Sequence, residues 1–334
     1  MKDSELDDLL STPRPQTVQA LEACPGDVIV LGAGGKMGPT LARMVARAAG
    51  PGRRVMAVSR WSAQNAERAL NAAGVETLRC DLLDADAVRR LPHAPNVIFM
   101  AGQKFGTSDA PAMTWAMNTI VPYHCADRYR DSRIVAFSTG NVYPLTSVEA
   151  GGAKEDQPVG PVGEYAASCV GRERVFELYA DRFGTRVAIV RLNYAIDLRY
   201  GVLVDLALRV RNETPVPLAM GYVNVIWQGD ANAIAIECLG HASAPPFVVN
   251  VTGRDRLSVR ALAEWFAARF GTSPRFAGVE GPDALLSNTE KMQSTFAAPA
   301  VAVERMLEMV ADWVESGGPL LGKPTKFEAR DGRF

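Results

Sequence analysis

Glycines at 32, 35 and 38 follow the apolar run VIVL and lead into TLARMVARAA, a stretch of helix formers with helical spacing. Such a turn suits one kind of chemistry. Glycine lets the chain reverse sharply and lets an anion approach the backbone, while the new helix offers its unpaired N–H groups to that anion. Between a buried strand and a helix, this spacing reads as a dinucleotide-binding turn, with Lys36 and Met37 inside it. At the end of the second strand, where an acidic residue would bind the adenosine ribose, the chain has Ser59 and then Arg60. No carboxylate is available there to repel a 2'-phosphate, and Arg60 can pair with it bidentately, so NADP(H) is the preferred coenzyme and NAD(H) the alternative. Lys36 adds charge to the turn. In EYAASCVGRERVFE (residues 164 to 177), Tyr165 stands near the start of a helix with Cys169 one turn later. Lys104, in AGQKFGTSD, follows the fourth strand on the edge where open α/β sheets place ligands.

Other chemistries find little support. The three histidines, His93, His124 and His241, are far apart and lack ligand spacing, so no metal centre is expected. The five cysteines are widely spaced and contain no CxxC, as in a reduced intracellular chain without disulfides or structural zinc. Thirty-six basic against 37 acidic residues give no overall field for nucleic acid or an anionic membrane. The acidic start MKDSELDDLL is unlike a signal peptide, and no apolar run approaches the ~20 residues of a membrane span. A cytoplasmic location is expected.

Seven strand candidates position these residues: VIVL, residues 53 to 60, 75 to 81, 96 to 102, 133 to 139, 186 to 192 and 246 to 252. They are unalternated, rich in β-branched residues and mostly separated by helical patterns, one of them starting at Ser62 as N-cap and stopping at Gly74. That arrangement predicts an α/β fold, a Rossmann-type doubly wound parallel sheet covered on both faces. Residues 1 to 26 read as an extension that packs on the surface or stays mobile, and 27 to 192 as the dinucleotide-binding domain, to which 225 to 250 return. Residues 193 to 224 and 251 to 334 read as a smaller, interleaved substrate domain and a C-terminal tail. Whether the terminal GKPTKFEARDGRF folds over the substrate region or stays loose is left open by its sequence.

From about residue 27 to 315 the chain resembles the extended short-chain dehydrogenase/reductase superfamily, specifically its NAD-dependent epimerase/dehydratase family, which acts largely on sugars and sugar nucleotides. The resemblance implies that Gly32, Gly35 and Gly38 cradle the pyrophosphate, that Asp81, with Leu82 beside it, approaches the adenine, and that Ala101 and Gly102 line the coenzyme. Asn118 in MNTIVPYHCA matches a structural asparagine of the family. FSTGNVYP places Thr139 in the role of the active-site hydroxyl, with Ser138 beside it, and EYAASCVGRE places Tyr165 in that of the proton-transferring tyrosine. Gln103, Lys104, Asn141 and Asn193 are the substrate-contact candidates, and Asp230 is structural. The resemblance also implies a homodimer built on helices near 111 to 130 and 164 to 183.

One position departs from the pattern. The family's lysine, four residues after the tyrosine, lowers the phenol pKa and holds the nicotinamide ribose, and here that position is Cys169. Three substitutes are open: Lys104 delivers a cation from another direction, the oxidised coenzyme supplies the charge, or Tyr165 only donates a hydrogen bond while another group, such as Glu164 or the substrate itself, works as acid or base. The sequence is thus read as an NAD(P)-dependent oxidoreductase, epimerase or dehydratase acting on a sugar, sugar nucleotide or related polyol. The alternative is a catalytically silent NAD(P)-binding sensor or scaffold.

Overall fold

The computed structural model describes residues 1–334 except 62, 63, 105, 107, 108, 324 and 334, with only the backbone of Gln64. The N-cap expected at Ser62 therefore lies outside the described residues. Seven strands form one sheet: β1 (Val28–Leu31), β2 (Val55–Ser59), β3 (Glu76–Arg79), β4 (Asn96–Phe99), β5 (Arg133–Thr139), β6 (Arg186–Leu192) and β7 (Phe247–Val251). Their spatial order is β7-β6-β5-β4-β1-β2-β3, and every pairing is parallel. Strand order reverses between β1 and β4, which opens a crevice at their C-terminal ends, where doubly wound folds bind ligands.

The reason for the unalternated strands is visible in β1. All four of its residues are buried, Val28 and Val30 in one apolar cluster and Ile29 and Leu31 in another. The first cluster is closed by α3 (Gly38–Ala49) and α10 (Gln228–Glu237), the second by α7 (Val121–Arg128) and α8 (Gly163–Phe183). A third core lies in a smaller lobe, built on α9 (Val202–Arg211), α11 (Val259–Phe270) and α13 (Val303–Glu315).

The first 22 residues form two helices, α1 (Asp3–Leu10) and α2 (Pro15–Glu22). Leu6 and Leu10 are fully buried in the small-lobe core and Leu21 in the main one, each contributing roughly 1.5–3 kcal/mol by burial. Between them Arg14 makes two 2.7 Å bonds to the buried Glu237 carboxylate, which also accepts from the Thr17 hydroxyl at 2.8 Å. The segment joins the two lobes. Helices this short carry too few apolar anchors to show a period in the sequence.

Candidate functional site

The glycine turn assigns a separate task to each glycine. Gly32 has φ +88°, and a Cβ on it would lie 2.5 Å from the Ala101 nitrogen, so this residue both makes the turn and lets the β4 end approach. A Cβ on Gly38 would lie 2.4 Å from the Ala33 carbonyl oxygen, where α3 packs tightly on the strand. Gly35 differs: its added Cβ would meet only the Gly32 carbonyl oxygen, at 3.5 Å, so its backbone faces open space at the helix start. A bare backbone there, before the twelve-residue α3, fits the pyrophosphate of a dinucleotide. Gly34 packs on the Ser59 side chain. Arg60 is exposed beyond β2, and its carbonyl accepts a 2.6 Å bond from Arg79. Asp81 is exposed after β3 and caps the Leu83 amide, whereas the Leu82 side chain is buried in the sheet core.

Across the switch point, the segment after β4 is held by Asn118. This residue sits in a π-helical turn (Ala116–Ile120) between α6 (Pro111–Trp115) and α7. Its amide exchanges two 3.0 Å bonds with the Gln103 backbone and donates to the Ser168 hydroxyl at 2.9 Å. The loop that carries Gln103 and Lys104 is thereby tied to the helix of Tyr165.

A chamber of about 180 Å³ lies at this crevice, with Lys36, Lys104, Thr139, Tyr165, Tyr194 and Tyr200 among its walls. Met37, Ser138, Asn141 and Asn193 line it as well. The Tyr165 phenol is hydrogen-bonded to the Thr139 hydroxyl and to Cys169. Thr139 in turn accepts from the Asn141 backbone at 3.2 Å and from its side-chain amide at 3.0 Å. Burial pushes the Tyr165 phenol well above its ordinary range and Cys169 adds to the shift, while Arg172 and the Thr139 bond oppose it. Tyr165 is therefore a neutral donor near pH 7. The Cys169 thiol is pushed up by its own burial.

Ser138 and Asn193 face the chamber with their polar groups engaged elsewhere. The Ser138 hydroxyl donates to Glu173, whose carboxylate is paired with Arg191 at 2.7 Å. The Asn193 amide donates to Asn224 at 3.2 Å and to the Leu285 carbonyl at 3.3 Å.

Two lysines reach the chamber. The Lys104 ammonium lies 6.0 Å from the centre of the Tyr165 ring. Lys36 leaves the glycine turn and spans to the small-lobe wall, where its ammonium donates to the Ala195 carbonyl at 3.0 Å and lies 4.3 Å from the Tyr200 ring centre. Burial lowers both from the ordinary 10.5 to about 8. Asp197 opposes the shift at Lys36 and Lys104 reinforces it; Cys169 and Asp205 oppose it at Lys104.

Sequence reasoning missed Arg172. Three residues after Cys169 and seven after Tyr165, it lies on the same helical face. Its guanidinium donates to the Phe137 carbonyl at 2.8 Å and to Asn118 at 2.5 Å, directly beneath Gly102, where a Cβ would strike it. A cation at i+7 on an otherwise small-residue face was the available signal. Among the described residues, no group of three or more His, Cys, Asp or Glu could hold a metal ion, and no helix is long and apolar enough to cross a membrane.

Comparison with known proteins gives this arrangement a family. The family model described as "NAD dependent epimerase/dehydratase family" matches residues 28–196. No functionally curated protein matches the chain. Pal from Bacillus thuringiensis superposes with a TM-score of 0.73 at 18% identity, covering 87% of this chain and 99% of the other. UDP-glucose 4-epimerase from Thermotoga maritima, solved with UDP-glucose, gives 0.73 at 16% identity over the same shares. DesIV, a dTDP-glucose 4,6-dehydratase from Streptomyces venezuelae solved with NAD, gives 0.72 at 18%, covering 86% and 97%. At these identities the superpositions establish a shared fold, and the family match spans half the chain: the protein belongs to the NAD-dependent epimerase/dehydratase family.

Proposed function

We propose that the protein is an NADP(H)-preferring oxidoreductase, epimerase or dehydratase acting at a hydroxyl or carbonyl carbon of a sugar or related polyol. The observation that carries this reading is the hydrogen bond between Tyr165 and Thr139, in a chamber that also includes Met37 of the glycine turn. A bound nicotinamide accepts or supplies the hydride. Thr139 holds the reacting oxygen, and Tyr165 gives it a proton during reduction of a carbonyl. In the reverse direction the alcohol proton passes to the Tyr165 phenolate, a form that burial disfavours. The phenolate is also what remains once Tyr165 has given its proton up, so positive charge beside the ring matters in both directions. Lys104 above the ring and Arg172 beyond Cys169 supply positive charge in place of the family's lysine, and Asn141 and Asn193, which line the chamber, border the substrate together with Gln103 of the adjoining loop.

The coenzyme preference rests on Arg60 at the end of β2, with Ser59 in place of a carboxylate. Exposed Trp115, Ile120 and Tyr123, with Leu178 and Phe183 of α8, support a homodimer through these helices, testable by light scattering. Calorimetric titration with NADPH and NADH tests the coenzyme; binding of neither overturns the redox reading. The reading as a silent sensor or scaffold draws its support from Cys169, which hydrogen-bonds Tyr165 where the family has its lysine. Substitution Tyr165→Phe separates the two, since it abolishes turnover only in an enzyme.

A further inference from the structure

The N-terminal helix α1 makes three sets of contacts, and each belongs to a different part of the fold. Leu6 and Leu10, one turn apart, are buried in the small-lobe core. Asp3 and Asp7, also one turn apart, both reach the Arg199 guanidinium, at 3.0 and 2.9 Å. Asp8 meets the main lobe, where its carboxylate pairs with Arg43 and Arg47 of α3 and its carbonyl accepts from Arg47 at 3.1 Å. A helix of eight residues is thus fastened both to Arg199 and to the helix that starts in the glycine turn.

Arg199 does not need α1 to balance its charge. The buried Asp197 carboxylate already accepts from the Arg199 backbone amide at 2.9 Å, from Nε at 3.0 Å and from Nη2 at 2.9 Å. Asp3 and Asp7 are largely exposed, and pairs of that kind add little to stability. What they fix is a place. Arg199 sits in a tight turn whose ends, Asp197 and Tyr200, exchange two backbone bonds of 3.0 Å, and Tyr200 lines the chamber. The Lys36 ammonium lies 4.3 Å from the centre of the Tyr200 ring and donates to the Ala195 carbonyl at 3.0 Å. Lys36 itself stands two residues before α3. The contacts therefore close a circuit: α3 to α1 through Asp8, α1 to the 197–200 turn through Arg199, and that turn back to the glycine turn through Lys36.

We propose that Asp3 and Asp7 are positioning residues of the candidate site: through Arg199 they hold the Tyr200 turn against Lys36 and set the spacing between the glycine turn and the small-lobe wall. The N-terminal segment then serves the coenzyme site although, among the described residues, none of its side chains lines the chamber. This inference rests on the reading of the glycine turn as a coenzyme cradle, and goes beyond it by naming what fixes the opposite wall. A cleft already at its working width loses less freedom on binding, so slack here weakens coenzyme affinity.

The test compares the full chain with the double variant Asp3→Asn/Asp7→Asn. Its first readout is the Lys36 ammonium, followed through a pH titration by NMR of isotope-labelled lysine side chains and assigned by the signal missing from Lys36→Arg. Lys36 faces Asp197, Lys104, Arg199 and the Tyr200 ring, and burial holds it at about 8. Loss of two negative charges beside Arg199 would by charge alone push that value lower, since Arg199 already opposes the protonated lysine. A loosened turn instead admits water and raises it toward the ordinary 10.5. The sign separates a positioning role from a mere change of charge. The expected result is a rise, with calorimetric affinity for NADPH down roughly threefold or more and the urea midpoint nearly unchanged. A Lys36 value that stays at about 8 or falls overturns the proposal, and so does an unaltered NADPH affinity where the parent chain binds NADPH. Failure of the parent chain to bind NADPH removes the coenzyme reading instead, while the Lys36 titration still decides whether Asp3 and Asp7 hold the turn.

Discussion

Two groups of buried charge lie within one helix of each other, and they are built on opposite plans. Behind Ser138, Arg191 meets Glu173 through bonds of 3.0 and 2.7 Å, and its remaining nitrogen donates to the Tyr143 hydroxyl at 2.6 Å. The Tyr143 hydroxyl donates in turn to Asn250 Oδ1 at 2.9 Å. Each charge has its counter-charge and its hydrogen bonds within the fold, as buried ion pairs need if they are to be tolerated. In front of Ser138, Lys36 and Lys104 line a chamber whose walls, among the described residues, carry no carboxylate. Burial there lowers both lysines to about 8, whereas the Glu173 and Arg191 charges compensate each other inside the fold.

Removing a partner from the first group has the largest expected effect. Glu173→Ala leaves the Arg191 guanidinium buried without its carboxylate and Ser138 without an acceptor, a loss of about 3–5 kcal/mol in a urea unfolding experiment. A loss below ~1 kcal/mol would show that the pair is dispensable and would dissolve the contrast. Within the chamber, Tyr165→Phe removes one oxygen and should leave stability and coenzyme affinity nearly unchanged while turnover falls by roughly 10²- to 10⁴-fold. Unaltered turnover would remove Tyr165 from the proton path.

The seven strands and the glycine turn were legible in the sequence because local physics determines them. VIVL has to be buried on both faces, and a Cβ at Gly32 or Gly38 would strike a backbone atom. Cys169 was legible as a departure, though not its consequence, because Arg172 acts on Tyr165 only once α8 has wound two turns. The course of segment 325–333 was not legible at all. Its anchors are Asp205, Asp283 and Gly163, each 47 to 169 positions from the residue it holds, and nothing in a polar tail encodes such partners locally. The same holds for α1, whose two buried leucines find their core in a lobe formed much later in the chain.

A change of pH acts on the second group. Lys36 faces Asp197, Arg199, Lys104 and the Tyr200 ring, and Lys104 faces Cys169, Asp205 and the Tyr165 ring. Both ammonium groups lose their protons near pH 8, below the ordinary 10.5, so the folded state holds fewer protons than the unfolded state between those values. Stability contributed by these two lysines should accordingly rise as pH increases from about 8 to 10.5, and be lost again as pH falls through 8. Urea unfolding across this range checks the sign, and a stability that does not rise between pH 8 and 10.5 would show that burial does not hold the two lysines below their ordinary range.

The smallest effect belongs to a third kind of charge, one exposed to solvent. Arg60 stands beyond β2 with water around it, so neither the desolvation that lowers the lysines nor the low dielectric that strengthens the Glu173 pair applies. An exposed pair with a 2'-phosphate contributes about 0.2–1 kcal/mol, which makes Arg60→Ala a loss of roughly 1.4- to fivefold in NADPH affinity. NADH, which lacks that phosphate, should bind the variant as it binds the parent protein, and raising the salt concentration should narrow the difference between the two coenzymes. If Arg60→Ala weakens both coenzymes equally, the arginine supports the loop rather than reading the phosphate, and the preference for NADP(H) would lose its basis.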